Sequence, residues 1–415
     1  KKPAAAGTRR SSTPATSAAK LSALTTTTEQ RWPTGIDEFD FVLGGGVVPG
    51  SLILIGGEPG IGKSTLLLQV AARLAQNGKR ALYISGEESG AQVRLRADRL
   101  EEDTADVLFL GETDLARVLA QTEEHAPAVL FIDSIQTTYT EDIEGAPGNV
   151  GQVRECAARL QRYAKENGVA VFLVGHVTKG GTVAGPKTLE HIVDTVLYFE
   201  DSGSLDHRIL RATKNRFGGV DEIGVFRMTA RGLLPVANPS ELFLHDRNTG
   251  VSGSAVLATI EGTRPLLVEV QALVTKASYG AAQRVVTGFD RQRLALLLAV
   301  LEQRAGLPFG QLDVFLNVVG GVHIDETAGD LAVAAALCSA FMNKELPPTA
   351  VFVGEVGLGG ELRAVSQVER RLSEAARMGF KYAYVPHKSV PRTNGNDMRI
   401  IGLRDVKALS EVLAG

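Results

Sequence analysis

The stretch "GEPGIGKS" (57–64) matches the pattern G-x-x-x-x-G-K-[ST] in full. It follows an apolar run, "SLILIGG" (51–57), and precedes a segment of helical period that begins "STLLLQVAARLAQNG". Strand, loop and helix in that order are what phosphate binding needs. A loop of Gly57, Glu58, Pro59, Gly60, Ile61 and Gly62 can surround phosphates with backbone N–H groups, and the helix start adds partial positive charge. Lys63 would reach the β- and γ-phosphates, the Ser64 hydroxyl would ligate Mg²⁺, and Thr65 would serve the α-phosphate end.

A triphosphate site also needs a metal-side carboxylate at the end of another buried strand. "AVLFIDS" (128–134) supplies Asp133 there. Hydrolysis further requires a group that orients water. "YISGEES" (83–89) ends the strand after the P-loop helix with two acids, Glu87 as the preferred base and Glu88 as the alternative. "VGHVTKGG" (174–181) offers His176, either a sensor of γ-phosphate or nucleic acid or a hydrogen-bonded strand-end histidine. Last, "ATKNRFGG" (212–219) sets Lys214 and Arg216 one residue apart, where the alternating "HRILRA" ends in a glycine turn. Two cations held at a fixed place await an anion.

These side chains need a frame to hold them. "SLILIGG", "ALYIS" (81–85), "DVLFL" (106–110), "AVLFID" (128–133) and "VAVFLVGH" (169–176) are nearly continuous apolar runs. Such runs suit strands covered by helices on both faces. With helical patterns between them, residues 29–238 read as an α/β domain on a mostly parallel sheet. "LPVANPSELF" (234–243) punctuates the chain, and "GSAVLATIEG" (253–262) and "RPLLVEVQALVT" (264–275) follow as two strand-like runs joined by a turn. Helical patterns near 290–304, 327–341 and 366–378 then alternate with further strands, so residues 239–415 read as a separate α+β domain. Residues 1–28 read as a disordered basic linker, with five basic and no acidic residues in the first twenty, although that composition also resembles a transit peptide.

Bulk composition excludes several classes. Lys and Arg number 44 against 47 Asp and Glu, a net charge of −3, so any nucleic-acid contact must use local basic patches. No apolar run approaches the roughly 18 residues that a transmembrane helix needs, and a cytoplasmic protein is expected. Cys156 and Cys338 stand far apart in apolar helical patterns and suit buried thiols in a reducing compartment. No Cys/His cluster has metal-ligand spacing, so zinc is not expected.

The motifs together resemble the bacterial RadA (Sms) family of DNA repair proteins. The stretches that carry the resemblance are "LGGGVVPGSLILIGGEPGIGKSTLLLQ", "YISGEES", "LFIDSIQT", "GHVTKGG", "LEHIVDTVLYFE" and "TKNRFG", and it runs from about Arg31 to the C-terminus. It implies a RecA-like P-loop ATPase core fused to a domain similar to the protease domain of Lon, of the ribosomal protein S5 domain 2-like kind. It also implies ATP as the nucleotide and a ring, expected to be hexameric. That ring would move on single-stranded DNA, drive branch migration of recombination intermediates, and work beside a RecA-type recombinase. A base at Glu87 is the RecA-type arrangement. In related ring helicases a Lys-x-Arg pair reaches the neighbouring subunit's γ-phosphate, and Lys214 and Arg216 match it. A planar guanidinium suits that task because it binds phosphate oxygens bidentately. Segments 141–152 and 178–191 sit where such motors carry inner DNA-contacting loops, with Lys179 and Lys187 as the available cations.

The chain departs from that family in two places. It has no four-cysteine zinc finger at its start. The Lon-like half also lacks Lon's catalytic pair: Thr327 and Ala328 stand near the serine position and Glu369 where the lysine should be. An acid in place of that base removes what a Ser-Lys mechanism requires, so peptide hydrolysis is not expected. Arg284, Arg291 and Arg293 flank the first helix of this half and could line a DNA channel, or simply be solvated. The leading reading is a DNA-dependent ATPase motor. An ATP-switched protein scaffold ring without translocation is the alternative.

Overall fold

Among the residues that the computed structural model describes (30–100, 102–176, 185–201, 207–277, 282–391 and 398–414), the apolar runs of the first half become neighbours in one sheet. The basic linker expected over 1–28 and the loop cation Lys179 lie outside the described residues. The strands are β1 (Leu52–Gly57), β2 (Ala81–Ser85), β3 (Leu108–Leu110), β4 (Val129–Asp133), β5 (Ala170–His176), β6 (Thr195–Asp201), β7 (His207–Asn215), β8 (Ile223–Thr229) and β9 (Gly232–Pro235). Their spatial order is β3-β2-β4-β5-β1-β6-β7-β8-β9. The pairs from β3 to β6 in that order are parallel, and β6 through β9 form an antiparallel extension.

Register decides which residues share a rim. Gly57 pairs with His176 and Ser85 with Asp133, so the carboxyl ends of the parallel strands meet on one side. β7 runs the other way. It starts at that rim with His207 and Arg208 and ends at the opposite rim with Lys214 and Asn215. The strand expected over 106–110 begins only at Leu108, because the N–H of Val107 turns back to the Thr104 carbonyl. β3 is the edge of the sheet, where a short strand leaves little backbone unpaired.

Both faces of this sheet are covered. Helices α1 (Asp37–Leu43), α2 (Lys63–Gln76) and α3 (Gly90–Ala97) cover one, over a core in which Phe131 and Phe172 stack at 5.0 Å. Helices α4 (Leu115–His125) and α5 (Val150–Asn167) cover the other. Buried on both sides, the parallel strands need the continuous apolar runs seen in the sequence. Burial pushes the Cys156 thiol on α5 up to about 11.

α6 (Pro239–Leu244) leads into the second half. Its strands are β10 (Ser254–Glu261), β11 (Arg264–Lys276), β12 (Arg284–Thr287), β13 (Leu312–Val318), β14 (Ala350–Phe352), β15 (Glu355–Val356), β16 (Leu362–Arg363), β17 (Tyr382–Pro386) and β18 (Arg399–Leu403). Seven of them form a mixed sheet in the order β12-β13-β11-β10-β14-β17-β18. Helices α7 (Arg291–Ala305), α8 (Asp330–Met342) and α10 (Val406–Ala414) pack on one face and α9 (Val368–Arg377) on the other. α8 is buried along most of its length and holds Cys338, whose thiol burial raises to about 12.

The two sheets meet through apolar packing and paired charge. Ile209, Ile223 and Val225 of the first sheet share a core with Phe243, Leu257 and Leu266. The turn between β10 and β11 enters the first half: Arg264 pairs with Glu38 at 2.7 Å, and the Thr263 N–H donates to the Glu222 carboxylate at 3.1 Å. Arg211 of β7 reaches Glu261 at 2.6 Å. Each buried acid has a partner, as burial of charge requires.

Candidate functional site

β1 ends in buried glycines, and the chain leaves it through a turn that Gly62 closes at φ +117° as the N-terminal cap of α2. Glycine is required there. That φ strains any L side chain, and an added Cβ would stand 2.8 Å from Cε of Met228. The unpaired N–H groups of the first turn of α2 then point into the loop. Lys63 is buried, and its Nζ donates to the carbonyls of Gly57 at 2.9 Å and Glu58 at 2.8 Å. Burial brings its ammonium down to about 8, with Asp133 and Glu87 pulling the other way.

The acids come from two adjacent strand ends. Asp133 closes β4, is buried, and accepts a hydrogen bond from the Tyr83 hydroxyl of β2 at 2.6 Å. Burial, with Asp133 beside it, holds that phenol well above its usual range, so Tyr83 stays a donor. The Gly86 N–H donates to the Asp133 carbonyl at 3.0 Å, which docks the turn after β2 against β4. α3 follows at once, with Ser89 and Gln92 capping each other's backbone. Glu87 and Glu88 thus sit in a short turn anchored at both ends.

Within that turn the two acids part. Glu88 pairs with Arg96 of α3. Glu87 accepts from the Ser134 hydroxyl and faces His176, whose Nε2 stands 3.2 Å from its Oε1. That is an ion-pair distance without the alignment of a donated hydrogen bond. The His176 interaction is the main influence holding the Glu87 carboxyl down to about 2; burial opposes it, and Ser134 and Lys63 reinforce it.

A cleft of about 550 Å³ opens over these groups. Lys63, Ser64, Thr65, Glu87, Asp133 and His176 line it on the P-loop side, and Arg208 of β7 and Met228 of β8 line it as well. A hydroxyl and a buried carboxylate are the hard oxygen donors that Mg²⁺ takes, so Ser64 and Asp133 could hold that ion. Among the described residues, no cluster of His, Cys, Asp and Glu could hold a metal by itself.

The Lys-x-Arg pair stands elsewhere. Lys214 Nζ donates to the carbonyls of Glu190 at 2.6 Å and Val193 at 2.8 Å. Burial and the neighbouring Arg216 charge lower its pKa. Arg216 Nη1 pairs at 2.8 Å with Asp194, a buried acid whose other oxygen accepts the Leu52 N–H at the foot of β1. Nearly all of β7 separates Arg216 from the cleft, roughly 25 Å at the usual rise of a strand. The pair therefore stands remote from its own P-loop.

The residues considered for DNA differ in their commitments. Lys187 is exposed on a 3₁₀ turn (Pro186–Thr188) whose proline packs beside Gly56 and Gly175. Arg284 donates to the carbonyls of Phe309, Gln283 and Leu312, so its guanidinium is engaged with backbone on β12. Arg293 pairs with the buried Asp330 of α8, while Arg291 is exposed at the start of α7.

Sequence reasoning missed five residues of this site. Tyr83 and Ser134 lie inside the quoted stretches "YISGEES" and "LFIDSIQT", and their hydroxyls were a signal. Arg208 lies in the quoted strand run "HRILRA", while Arg96 and Met228 belong to no quoted stretch; all three reach the cleft through helix phase and antiparallel pairing.

An AAA domain family matches residues 18–182. The DNA repair protein RadA of Halalkalibacterium halodurans is 51% identical over 388 residues, covering 93% of this chain and 85% of that protein. RadA of Bacillus subtilis is 50% identical over 95% of this chain and 87% of its own length, and RadA of Streptococcus pneumoniae 51% over 95% and 93%. Among solved structures, a KaiC-like protein of Pyrococcus horikoshii aligns with a TM-score of 0.43 at 20% identity, over 50% of this chain and 99% of its own.

Proposed function

The chain belongs to the RadA family of DNA repair proteins, and on that premise we propose that it is a DNA-stimulated ATPase working as a ring-shaped motor in recombination and repair. One observation carries the reading most: Lys63, Asp133 and Glu87 converge on a single cleft from three strand ends of a RecA-like P-loop sheet.

On ATP arrival, Lys63 exchanges two neutral carbonyls for charged phosphate oxygens, a stronger electrostatic partner in a buried place. Mg²⁺, held by Ser64 and Asp133, would neutralise charge on the β- and γ-phosphates. The Tyr83 hydroxyl orients Asp133 for that task. Glu87 holds the attacking water in line. A carboxylate near 2 is a weak proton acceptor, so positioning is its first contribution, and its basicity rises once His176 moves away.

Lys214 and Arg216 serve a neighbouring subunit's ATP in a ring, expected to be a hexamer. Their distance from their own P-loop supports a role in trans, in which a guanidinium stabilises charge of the transition state. Lys187 serves single-stranded DNA, and the same role is assigned to Lys179, which lies outside the described residues. Arg284 joins them only by giving up its carbonyl partners. A RecA-type recombinase is the partner and the cytoplasm the location; none of the described helices is long and apolar enough to cross a membrane.

We assign residues 29–238 to the ATPase domain and 239–415 to a Lon-like domain without peptidase chemistry. At the position of the missing serine, the Thr327 hydroxyl donates to Glu355 at 3.0 Å rather than to a base amine. Beside it, the fully buried Arg371 is bidentate on Glu326, which fills the place with a structural ion pair.

ATP turnover measured against single strands of increasing length tests the motor. The rate should climb with length to a plateau. Turnover indifferent to DNA would remove translocation and leave an ATP-switched scaffold ring.

A further inference from the structure

The sheet order fixes which way a nucleotide can lie in the cleft. β1 and its P-loop stand between two unlike neighbourhoods. On one side are β5, β4 and β2, with His176, Asp133 and the turn of Glu87. On the other are β6, β7 and β8, with Arg208 and Met228. The reacting phosphate and its metal belong with the carboxylates, so the nucleoside must leave over β7 and β8.

We propose that Arg208 and Met228 form the nucleobase subsite, holding a purine between a guanidinium plane and a thioether. The inference rests on reading this cleft as an ATP site. Arg208 pairs in register with Phe226, and Met228 is two residues further along β8, so both project from the same face as diagonal neighbours. Diagonal neighbours across an antiparallel pair are about 7–8 Å apart. That is roughly twice the contact distance of 3.5–4.0 Å between carbon atoms, the gap one flat ring fills. Phe226, opposite Arg208 in register and two residues before Met228, is buried on that same face.

Both side chains suit a π surface. A guanidinium stacks on aromatic faces and a thioether makes favourable sulfur–aromatic contacts. Met228 is also tied to the phosphate end, since its Cε lies 2.8 Å from where a Cβ of Gly62 would stand. That contact sets the base at a fixed distance from the P-loop. Arg208 Nη1 donates to the His207 carbonyl at 2.7 Å, which steadies the head of the side chain at the rim.

Calorimetric titration of the full chain with Mg·ATP and, separately, Mg·tripolyphosphate tests the subsite, because the second ligand has phosphates and no base. Arg208→Ala and Met228→Ala should each weaken ATP about five- to tenfold and leave tripolyphosphate unchanged. Arg208→Lys, which keeps charge but not the plane, should behave like the alanine variant. Where Met228→Ala loses its thermal transition, Met228→Leu preserves the packing on Gly62 and should weaken ATP alone by a smaller factor. Equal weakening of both ligands, no change in either, or full rescue by Arg208→Lys overturns the proposal. Lys63→Ala is the separate control: if it leaves tripolyphosphate binding intact, the ATP-site reading has failed instead.

Discussion

His176 and Glu87 form one unit at the rim of the sheet: Nε2 of the first stands 3.2 Å from Oε1 of the second, and the Ser134 hydroxyl donates to that same oxygen. The pair joins the end of β5 to the turn that follows β2. Displacement of His176 would therefore change the basicity of Glu87.

Glu87→Gln should bind ATP as the parent does and turn it over about 10²–10⁴-fold more slowly, the range for loss of a general base. Glu88→Gln should be much milder, because Glu88 is committed to Arg96. Single-turnover hydrolysis beside nucleotide titration separates the two. If Glu88→Gln is the inactive variant, the assignment of the base is reversed.

His176→Ala should raise the Glu87 carboxyl from about 2 toward the usual carboxylate range. The sign follows from linkage: a depressed acid contributes stability above its unfolded value and loses it as pH falls through its folded value. The variant should thus lose stability at neutral pH but not near pH 2, and the acid limb of its turnover should move to higher pH. Unfolding and rate profiles that superimpose on the parent's would dissolve the pair.

Lys63 stands at about 8 before nucleotide binds, lowered chiefly by burial. Phosphate favours its charged form, so binding near pH 8 should take up about half a proton, and affinity should fall as pH rises through that value. Titration in two buffers of unlike ionisation enthalpy reads the proton directly. Lys63→Ala should abolish both the uptake and hydrolysis.

Arg216→Ala should show two separable effects. It leaves the buried Asp194 without its nearest cation, at a cost of about 1 kcal/mol given how exposed the arginine is. It should also cut turnover while ATP still binds. Mixing it with Lys63→Ala subunits, once exchange between rings is established with labelled protein, should restore some activity. No rescue together with normal turnover per folded molecule would confine Arg216 to strand capping.

Arg371→Ala should destabilise the second sheet by about 3 kcal/mol, since Glu326 would lose a bidentate partner that is 1% exposed. Paired replacement by Arg371→Met and Glu326→Leu should recover most of that loss. Urea unfolding of the three variants decides whether the ion pair is structural.

The chemistry-bearing residues were legible wherever neighbours in sequence are neighbours in function. "GEPGIGKS", the apolar runs ending in Asp133 and the acids of "YISGEES" each carry their own strand end, so burial pattern and residue type sufficed to place them. The mostly parallel sheet was legible for the same reason, because strands buried on both faces must be continuously apolar. The antiparallel extension was not. Strand pairing is set by backbone hydrogen bonds between segments remote in sequence, and no local pattern told which rim each end of β7 would reach.

Tertiary structure alone decided the commitments of the charged groups. By itself the sequence determined that a P-loop stretch follows a buried strand and that acids stand at the ends of neighbouring strands. It could not tell that Glu88 belongs to Arg96 while Glu87 faces His176. Nor could it tell that Arg216 meets Asp194 at the far rim while Arg208 enters the cleft, or that Arg284 spends its donors on backbone carbonyls. A charge is satisfied by whatever stands within a few ångströms of it, and that neighbourhood is settled by register, helix phase and packing, none of which a residue's type records.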